Sequence, residues 1–120
     1  MIHLFSFEKL DVYQKSRAFV KEIYSISRDF PDDEKYGLTS QVRRAVVSVP
    51  NNLAEGSGRT TKKDQALFTT YSYSSLMEVL NLLTLSTDLN FITEKDYLRM
   101  RPAIYEISNK LNSFRKSQLL

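Results

Sequence analysis

Residues Gln41 to Gly58 read QVRRAVVSVPNNLAEGSG, and this stretch decides the fold. Leu38, just upstream, joins Val42, Val46, Val49 and Leu53 on one face. At 100° per residue these five fall within about 80° of arc, the stripe of an amphipathic helix, with Ala45 at its edge. A second stripe of Gln41, Arg44, Ser48, Asn51, Asn52 and Glu55 gathers on another face. Small and amide side chains at helical spacing are unusual on a freely solvated surface, where Lys and Glu are common. They suit a tight helix–helix contact with side-chain hydrogen bonds, within or between subunits; the alternative is a partly exposed polar face. Pro50 lacks an N–H and crowds the Val46 carbonyl, which predicts a bend. Gly56 and Gly58 predict the stop, since either takes positive φ at the C′ position without strain.

The flanking sequence supplies helices to pack against this one. Upstream, Asp11 is the expected N-cap. Val12, Ser16, Phe19, Val20, Ile23, Ser27 and Phe30 then recur at three- and four-residue steps, until Pro31 pushes the preceding residue out of the α region. Residues 1–10 read as an ordered lead-in that lays Phe5 and Phe7 on the bundle. Downstream, Thr60 or Thr61 caps a third helix with Asp64 in its first turn. Its second half carries Leu76, Met77, Val79, Leu80, Leu82, Leu83, Leu85 and Leu89 on more than one face. A helix apolar over most of its circumference is buried on more than one side. That points to a subunit interface with Leu82 and Leu85 as candidates, or else to a wide core stripe with one or two exposed leucines. After a turn at Asn90 and Phe91, Thr93 caps a fourth helix with Leu98, Met100, Ile104, Ile107, Leu111 and Phe114 inward and a kink at Pro102. Helices over about 11–30, 38–56, 61–89 and 93–116 with short links predict an all-α, antiparallel up-down-up-down four-helix bundle, one domain over residues 1–120.

Composition narrows the function classes. The chain has 120 residues, 42% hydrophobic and 26% charged, with three glycines and three prolines, which disfavours a turn-rich β fold. A net charge of +3 and a pI near 9.2 permit a polyanionic partner without demanding one. There is no cysteine, so disulfides, thiolate chemistry and zinc knuckles are excluded. No apolar run approaches the roughly 18 residues of a membrane span, and Glu8 and Lys9 precede any apolar stretch, unlike a secretory signal. The cytoplasm is the expected compartment.

No catalytic constellation emerges, and neither enzyme chemistry nor a cofactor is expected. Acid–base work usually recruits histidine or a tuned carboxylate, and the single histidine, His3, lies at the N-terminus. Glu55 and Glu78 are lone carboxylates, read as structural groups that pair with Arg44 or bond helix-end amides. Gly56 and Gly58 follow a helix rather than a strand, the wrong context for a phosphate loop. Asp32, Asp33 and Glu34 read as a solvated acidic loop, not a metal site. The basic residues Arg43, Arg44, Arg59, Lys62 and Lys63 bracket the turn between helices two and three. With a compact turn they are expected to converge at one end of the bundle and face phosphates; common surface chemistry is the competing explanation. Tyr71 and Tyr73 have the chemistry to stack bases, although helical tyrosines are more often core or interface.

The same central stretch resembles the 23S ribosomal RNA intervening-sequence protein family. The resemblance lies in Gln41-Val42-Arg43-Arg44-Ala45, Ser48 and Asn52-Leu53-Ala54-Glu55-Gly56. It extends to Phe7-Glu8-Lys9-Leu10-Asp11-Val12-Tyr13, to Phe30-Pro31 with Glu34, Tyr36, Gly37 and Leu38, and to Ser75-Leu76-Met77-Glu78. Ser74 stands where the family usually has glycine, Ser72 where it often has alanine, and Leu53 where isoleucine is common; all three changes keep the size class, so close helix approach should survive. The resemblance implies a left-handed four-helix bundle assembled as a homopentamer. The related accessory protein of diversity-generating retroelements has a similar fold and oligomer and binds nucleic acid and a reverse transcriptase. Two functions follow as expectations. One is an oligomeric, non-enzymatic nucleic-acid-binding protein, RNA favoured, that uses Arg43, Arg44, Arg59, Lys62 and Lys63. The other is a scaffold that self-assembles and docks a protein partner without nucleic acid.

Overall fold

The computed structural model describes all 120 residues, Met1 to Leu120. Four helices carry the fold: α1 (Asp11–Ser27), α2 (Leu38–Ser57), α3 (Lys62–Asp88) and α4 (Glu94–Gln118). Two 3-10 turns, Ser6–Lys9 and Asp32–Glu34, precede α1 and α2. There are no strands, so the protein is an all-α bundle. Its core is one cluster that includes Phe19 and Ile23 from α1, Val42, Val46 and Val49 from α2, Leu76, Val79 and Leu83 from α3, and Met100, Ile107 and Leu111 from α4. These are the stripes expected from three- and four-residue spacing, buried because apolar surface leaves water only when the stripes face one another.

Neighbouring helices run past each other with residue numbers rising on one and falling on the other. Asp11 and Lys15 of α1 pair with Lys110 and Glu106 of α4 at 2.7 and 3.7 Å. On α3 and α4, Thr69 meets Gln118 while Thr84 meets Tyr97. The Asp11–Lys110 bond holds the Asp11 carboxyl below its ordinary pKa and the Lys110 ammonium above its own, in each case chiefly by that hydrogen bond.

The α2–α3 contact is the most extensive in the bundle and is built from small residues. Ser72 is fully buried and donates to the Val49 carbonyl at 2.8 Å. Ser75 reaches Ser48 Oγ at 3.0 Å, and Asn52 Nδ2 donates to the Ser48 carbonyl and hydroxyl at 2.8 and 3.0 Å. Ser48 of the polar stripe is therefore part of a helix–helix contact within one chain, with Asn52 bonded to it from the same helix. These side-chain donors surround the turn in which Pro50 removes a backbone donor, and α2 continues through Pro50 to Ser57. Likewise α4 passes through Pro102 without interruption.

Several helix ends differ from expectation. Pro31 does not set the end of α1, which stops at Ser27; Phe30 turns inward instead, 5% exposed, with its ring 5.7 Å from that of Phe91. Leu10, not Asp11, occupies the N-cap of α1, which frees the Asp11 carboxylate for Lys110. Neither Gly56 nor Gly58 has positive φ. Gly56 is buried inside α2, and a Cβ there would lie 2.8 Å from the Phe68 Cβ; its role is close approach to α3 rather than termination. The one positive φ in the chain, 64°, belongs to Asn90. There the Phe91 amide bonds the Ser86 carbonyl and the Asn90 amide that of Thr87, a Schellman end to α3. Thr61 and Thr93 cap α3 and α4, each accepting from the amide three residues on at 3.1 Å, as their spacing suggests.

The leucine-rich half of α3 divides cleanly. Leu76, Val79, Leu82 and Leu83 are buried in the core, Met77 and Leu80 are half-buried, and Leu85 and Leu89 are exposed. Leu82 is only 4% exposed within a single chain, which removes it from the interface candidates. Ser74 lies on the exposed face of α3 rather than at a close approach.

Gly56→Ala sets two effects against each other. Alanine improves helix propensity by up to about 1 kcal/mol, while a clash with Phe68 Cβ, which cannot swing away, costs about 1–3 kcal/mol. The net expectation is destabilisation, read as a lower urea midpoint. Gly58→Ala, with only the Glu55 carbonyl at 3.4 Å, should leave the midpoint unchanged or raise it. Equal midpoints for Gly56→Ala and the parent protein would remove the close-approach explanation.

Candidate nucleic-acid interface

The five basic residues singled out in the sequence do not converge. Arg44 lies thirteen residues before the end of α2 at Ser57, about 20 Å along the helix axis at 1.5 Å per residue. Arg43 and Arg44 therefore form one group beside the α1–α2 connection, and Arg59, Lys62 and Lys63 another at the α2–α3 turn. The expectation of convergence treated nearness in sequence to the turn as nearness in space, which a helix of this length does not allow.

Within the first group the two arginines have different roles. Arg43 is half-buried: its Nε donates to Ser27 Oγ at 2.8 Å, its Nη2 reaches the Tyr24 carbonyl at 3.3 Å, and its guanidinium lies 4.7 Å from the centre of the Tyr24 ring. It ties α2 to the last turn of α1, where carbonyls lack helical partners. Arg44 is exposed and has neither ion pair nor side-chain hydrogen bond; in particular it does not pair with Glu55. Alongside them lies an open groove of about 630 Å³ lined by Tyr24, Lys35, Tyr36, Thr39, Ser40, Arg43, Arg44, Val47, Ser48 and Asn51. No carboxylate lines it. The nearby Glu34 caps α2 instead, accepting from the Leu38 amide at 2.9 Å, and a Cβ on Gly37 would run into that carboxylate.

The second group sits where α2 ends and α3 begins. Arg59 contacts Asp64 at 3.6 Å and lies 5.3 Å from the Phe68 ring centre. Lys62 donates to the main-chain oxygen of Leu120 at 3.0 Å. Lys63 is exposed, with no ion pair or hydrogen bond. The last turns of α4 lie alongside: Arg115 reaches Thr70 at 3.3 Å, with Lys116 next to it in the chain. The opposite end of the bundle contains a groove of about 550 Å³ whose charged lining residues are Asp29, Glu94 and Asp96. It has the wrong sign for phosphate.

Of the remaining polar-stripe residues, Gln41 and Glu55 are exposed, unlike Ser48 and Asn52. Glu55 and Glu78 both stand exposed without an ion-pair partner. Asp32, Asp33 and Glu34 form a short 3-10 turn, and no three acidic or histidine side chains cluster as metal ligands would. Tyr73 is half-buried against the core, whereas Tyr71 is exposed. Lys35, Tyr24 and Tyr36 were not expected from the sequence as site residues, Tyr36 having entered only as part of the family resemblance. For Lys35 and Tyr36 the local cue was a Lys-Tyr pair beside a glycine in a polar connection, and their placement depends on how that connection folds back along α2.

The geometry defines a small helical-bundle protein with two separate basic regions and a tightly packed α2–α3 pair. The chain belongs to the family of the 23S rRNA-intervening sequence proteins, which it matches over residues 8–113. Its fold is similar to the crystal structure of a protein of unknown function from the S23 ribosomal protein family of Bacteroides thetaiotaomicron VPI-5482. The TM-score is 0.79 at 22% identity, covering 88% of this chain and 98% of the other. No curated protein matches the chain.

The two adjacent arginines should separate by stability. Arg43→Ala is expected to lower unfolding free energy by about 1–2 kcal/mol, since a charged hydrogen bond and a cation–π contact are lost together. Lysine should not rescue it, because the planar fork and the ring contact both disappear. Arg44→Ala should fall within about 0.5 kcal/mol of the parent protein. Urea denaturation compares them, and equal losses at both positions would contradict the assignment of Arg43 as a strut.

Proposed function

We propose that this protein is an oligomeric, non-enzymatic, cytoplasmic nucleic-acid-binding protein, with RNA favoured over DNA. The observation that carries the reading is the cation group at the α2–α3 turn. Lys62 and Lys63 open α3, where the helix dipole is positive and a cation is disfavoured by about 0.3–1 kcal/mol. The ion pair here, Arg59 with Asp64 at 3.6 Å, is exposed and long, and Arg115 and Lys116 add charge nearby. Cations held against the local field contribute little to the fold, whereas facing phosphates they release counterions and gain affinity. Arg44, free on its own face, is a further phosphate contact; Arg43 acts indirectly, by holding the wall beside it. Family membership supports an association with rRNA genes but fixes no activity. No helix is long and apolar enough to cross a membrane.

Self-assembly rests on a different observation. The outward face of α3 carries exposed Leu67, Tyr71, Leu85 and Leu89. Beside it an apolar groove between α3 and α4 includes Met77, Leu80, Leu98, Pro102 and Tyr105. A homo-oligomer, a pentamer by the family resemblance, would cover these groups and repeat the basic end around a symmetry axis. The same surface favours the second reading, a scaffold that docks a partner protein without nucleic acid.

Replacing Lys62 and Lys63 together by alanine should weaken binding to all sequences and lower the slope of log K against log salt by about 2, one per lost phosphate contact. Fluorescence anisotropy with structured RNA across about 50–200 mM salt measures both, and unchanged affinity and slope would reject this binding face. Leu85→Glu should dissociate the oligomer while helix content by circular dichroism is retained; light scattering gives the mass. Leu82→Glu, by contrast, should unfold the chain, because it places a charge in the core. An oligomer that survives Leu85→Glu would exclude that leucine from the interface.

A further inference from the structure

We infer that the groove between the end of α1 and the first half of α2 takes an unpaired nucleotide of a single-stranded nucleic acid, with a base stacked on Tyr36 and phosphate held by Arg44 and Lys35. This inference rests on the nucleic-acid reading above and adds a substrate class to it.

Four observations converge on the groove. Tyr36 is 88% exposed, so its ring is almost wholly open to solvent, and it projects from a connection rather than a helix face. Lys35 Nζ lies over one face of that ring, 5.5 Å from its centre, which puts a cation next to the face left for stacking. On the facing wall, Tyr24 is fixed beneath the Arg43 guanidinium, which Ser27 and the Tyr24 carbonyl hold in place. This wall is formed before any ligand arrives, so little ordering is required on binding. Finally, Arg44 is free and the groove has three cationic and no acidic lining residues.

Charge alone would suit any polyanion. The open aromatic ring distinguishes strands, because a base in a duplex has both faces covered by its neighbours, while an unpaired base has a face available for stacking. The groove volume of about 630 Å³ lies in the range typical of sites for small organic ligands. Asn51, an exposed lining residue with no side-chain hydrogen bond, adds an amide able to meet a base edge or a sugar. Three cations with no carboxylate among the lining residues favour a polyanionic occupant over a protein partner of mixed charge. Near the α2–α3 turn the exposed ring is Tyr71, 45% exposed and packed edge-on against Phe68 at 5.4 Å; Tyr36 is the more open stacking surface, so the two regions divide the work: backbone attraction at the turn, an unpaired nucleotide in the groove.

The test uses the full-length protein with two fluorescein-labelled probes, a 12-nucleotide oligouridine and a blunt 12-base-pair RNA duplex, read by anisotropy. Tyr36→Ala, at an exposed position, is expected to weaken oligouridine binding on the order of tenfold and to leave duplex binding within about twofold. Tyr36→Phe, which keeps the ring, should bind like the parent protein. Arg44→Ala should lower the salt slope for oligouridine by about one. Unchanged oligouridine affinity in Tyr36→Ala, with binding lost in the Lys62 and Lys63 double variant, overturns the inference and leaves the broader reading intact. Equal losses for strand and duplex also overturn it, since stacking would not be the cause. A fall in oligomer mass in Tyr36→Ala with RNA affinity unchanged would reassign the groove to a contact between chains. If the parent protein binds neither probe, and no structured RNA or DNA either, both readings fall together.

Discussion

The close approach of α2 and α3 is the constraint on which the rest of this bundle depends. Gly56 has no side chain because the Phe68 Cβ occupies that space. Ser72 is buried only because its hydroxyl finds the Val49 carbonyl. Along the same seam Ser48, Asn52 and Ser75 satisfy one another. Small residues let two backbones come near, and nearness in turn demands that every hydroxyl and amide have a partner, since an unpaired buried group costs about 1–3 kcal/mol. No buried side-chain polar atom is left unpartnered. With this pair fixed, α1 and α4 lay their apolar stripes on either side, and Asp11–Lys110 and Lys15–Glu106 bridge them at the surface.

That arrangement also distributes charge. Because α2 runs for 20 residues from the α1–α2 connection to the α2–α3 turn, its two ends present cations to different surroundings. At one end Arg59, Lys62 and Lys63 meet the last turns of α4, which carry Arg115 and Lys116. Near the other, Arg43 is spent on holding Tyr24 and Ser27, while Arg44 stays free. Two arginines adjacent in sequence thus do different physical work. One lies on the side of α2 that faces α1, the other points 100° away from it.

Much of the fold was legible from residue spacing. Apolar side chains at three- and four-residue steps marked all four helices, and threonines ahead of acidic first turns marked the starts of α3 and α4. Helix ends were less legible. Pro31 and the glycines looked like stops, yet α1 ends earlier at Ser27 so that Phe30 can reach Phe91, and Gly56 serves packing. A glycine chosen for positive φ and one chosen for close approach look identical until the neighbouring helix is in place. The leucines of α3 posed the same difficulty: Leu82 and Leu85 are only about 60° apart around the helix, and periodicity did not say which of them met the core.

The candidate site was legible only in its chemistry. The sequence by itself determined that this chain forms four amphipathic helices, that it carries basic residues on both sides of the turn between the second and third, and, through the block from Gln41 to Gly56, the family to which it belongs. Those properties depend on local periodicity and residue type, which a linear chain displays directly. The tertiary structure alone decided that Arg43 is a strut and Arg44 is free, that Leu82 is core and Leu85 is surface, and that Tyr24, Tyr36 and Lys35 share a groove with them. Each of these depends on contacts between residues far apart in sequence, and such contacts exist only once the helices have packed.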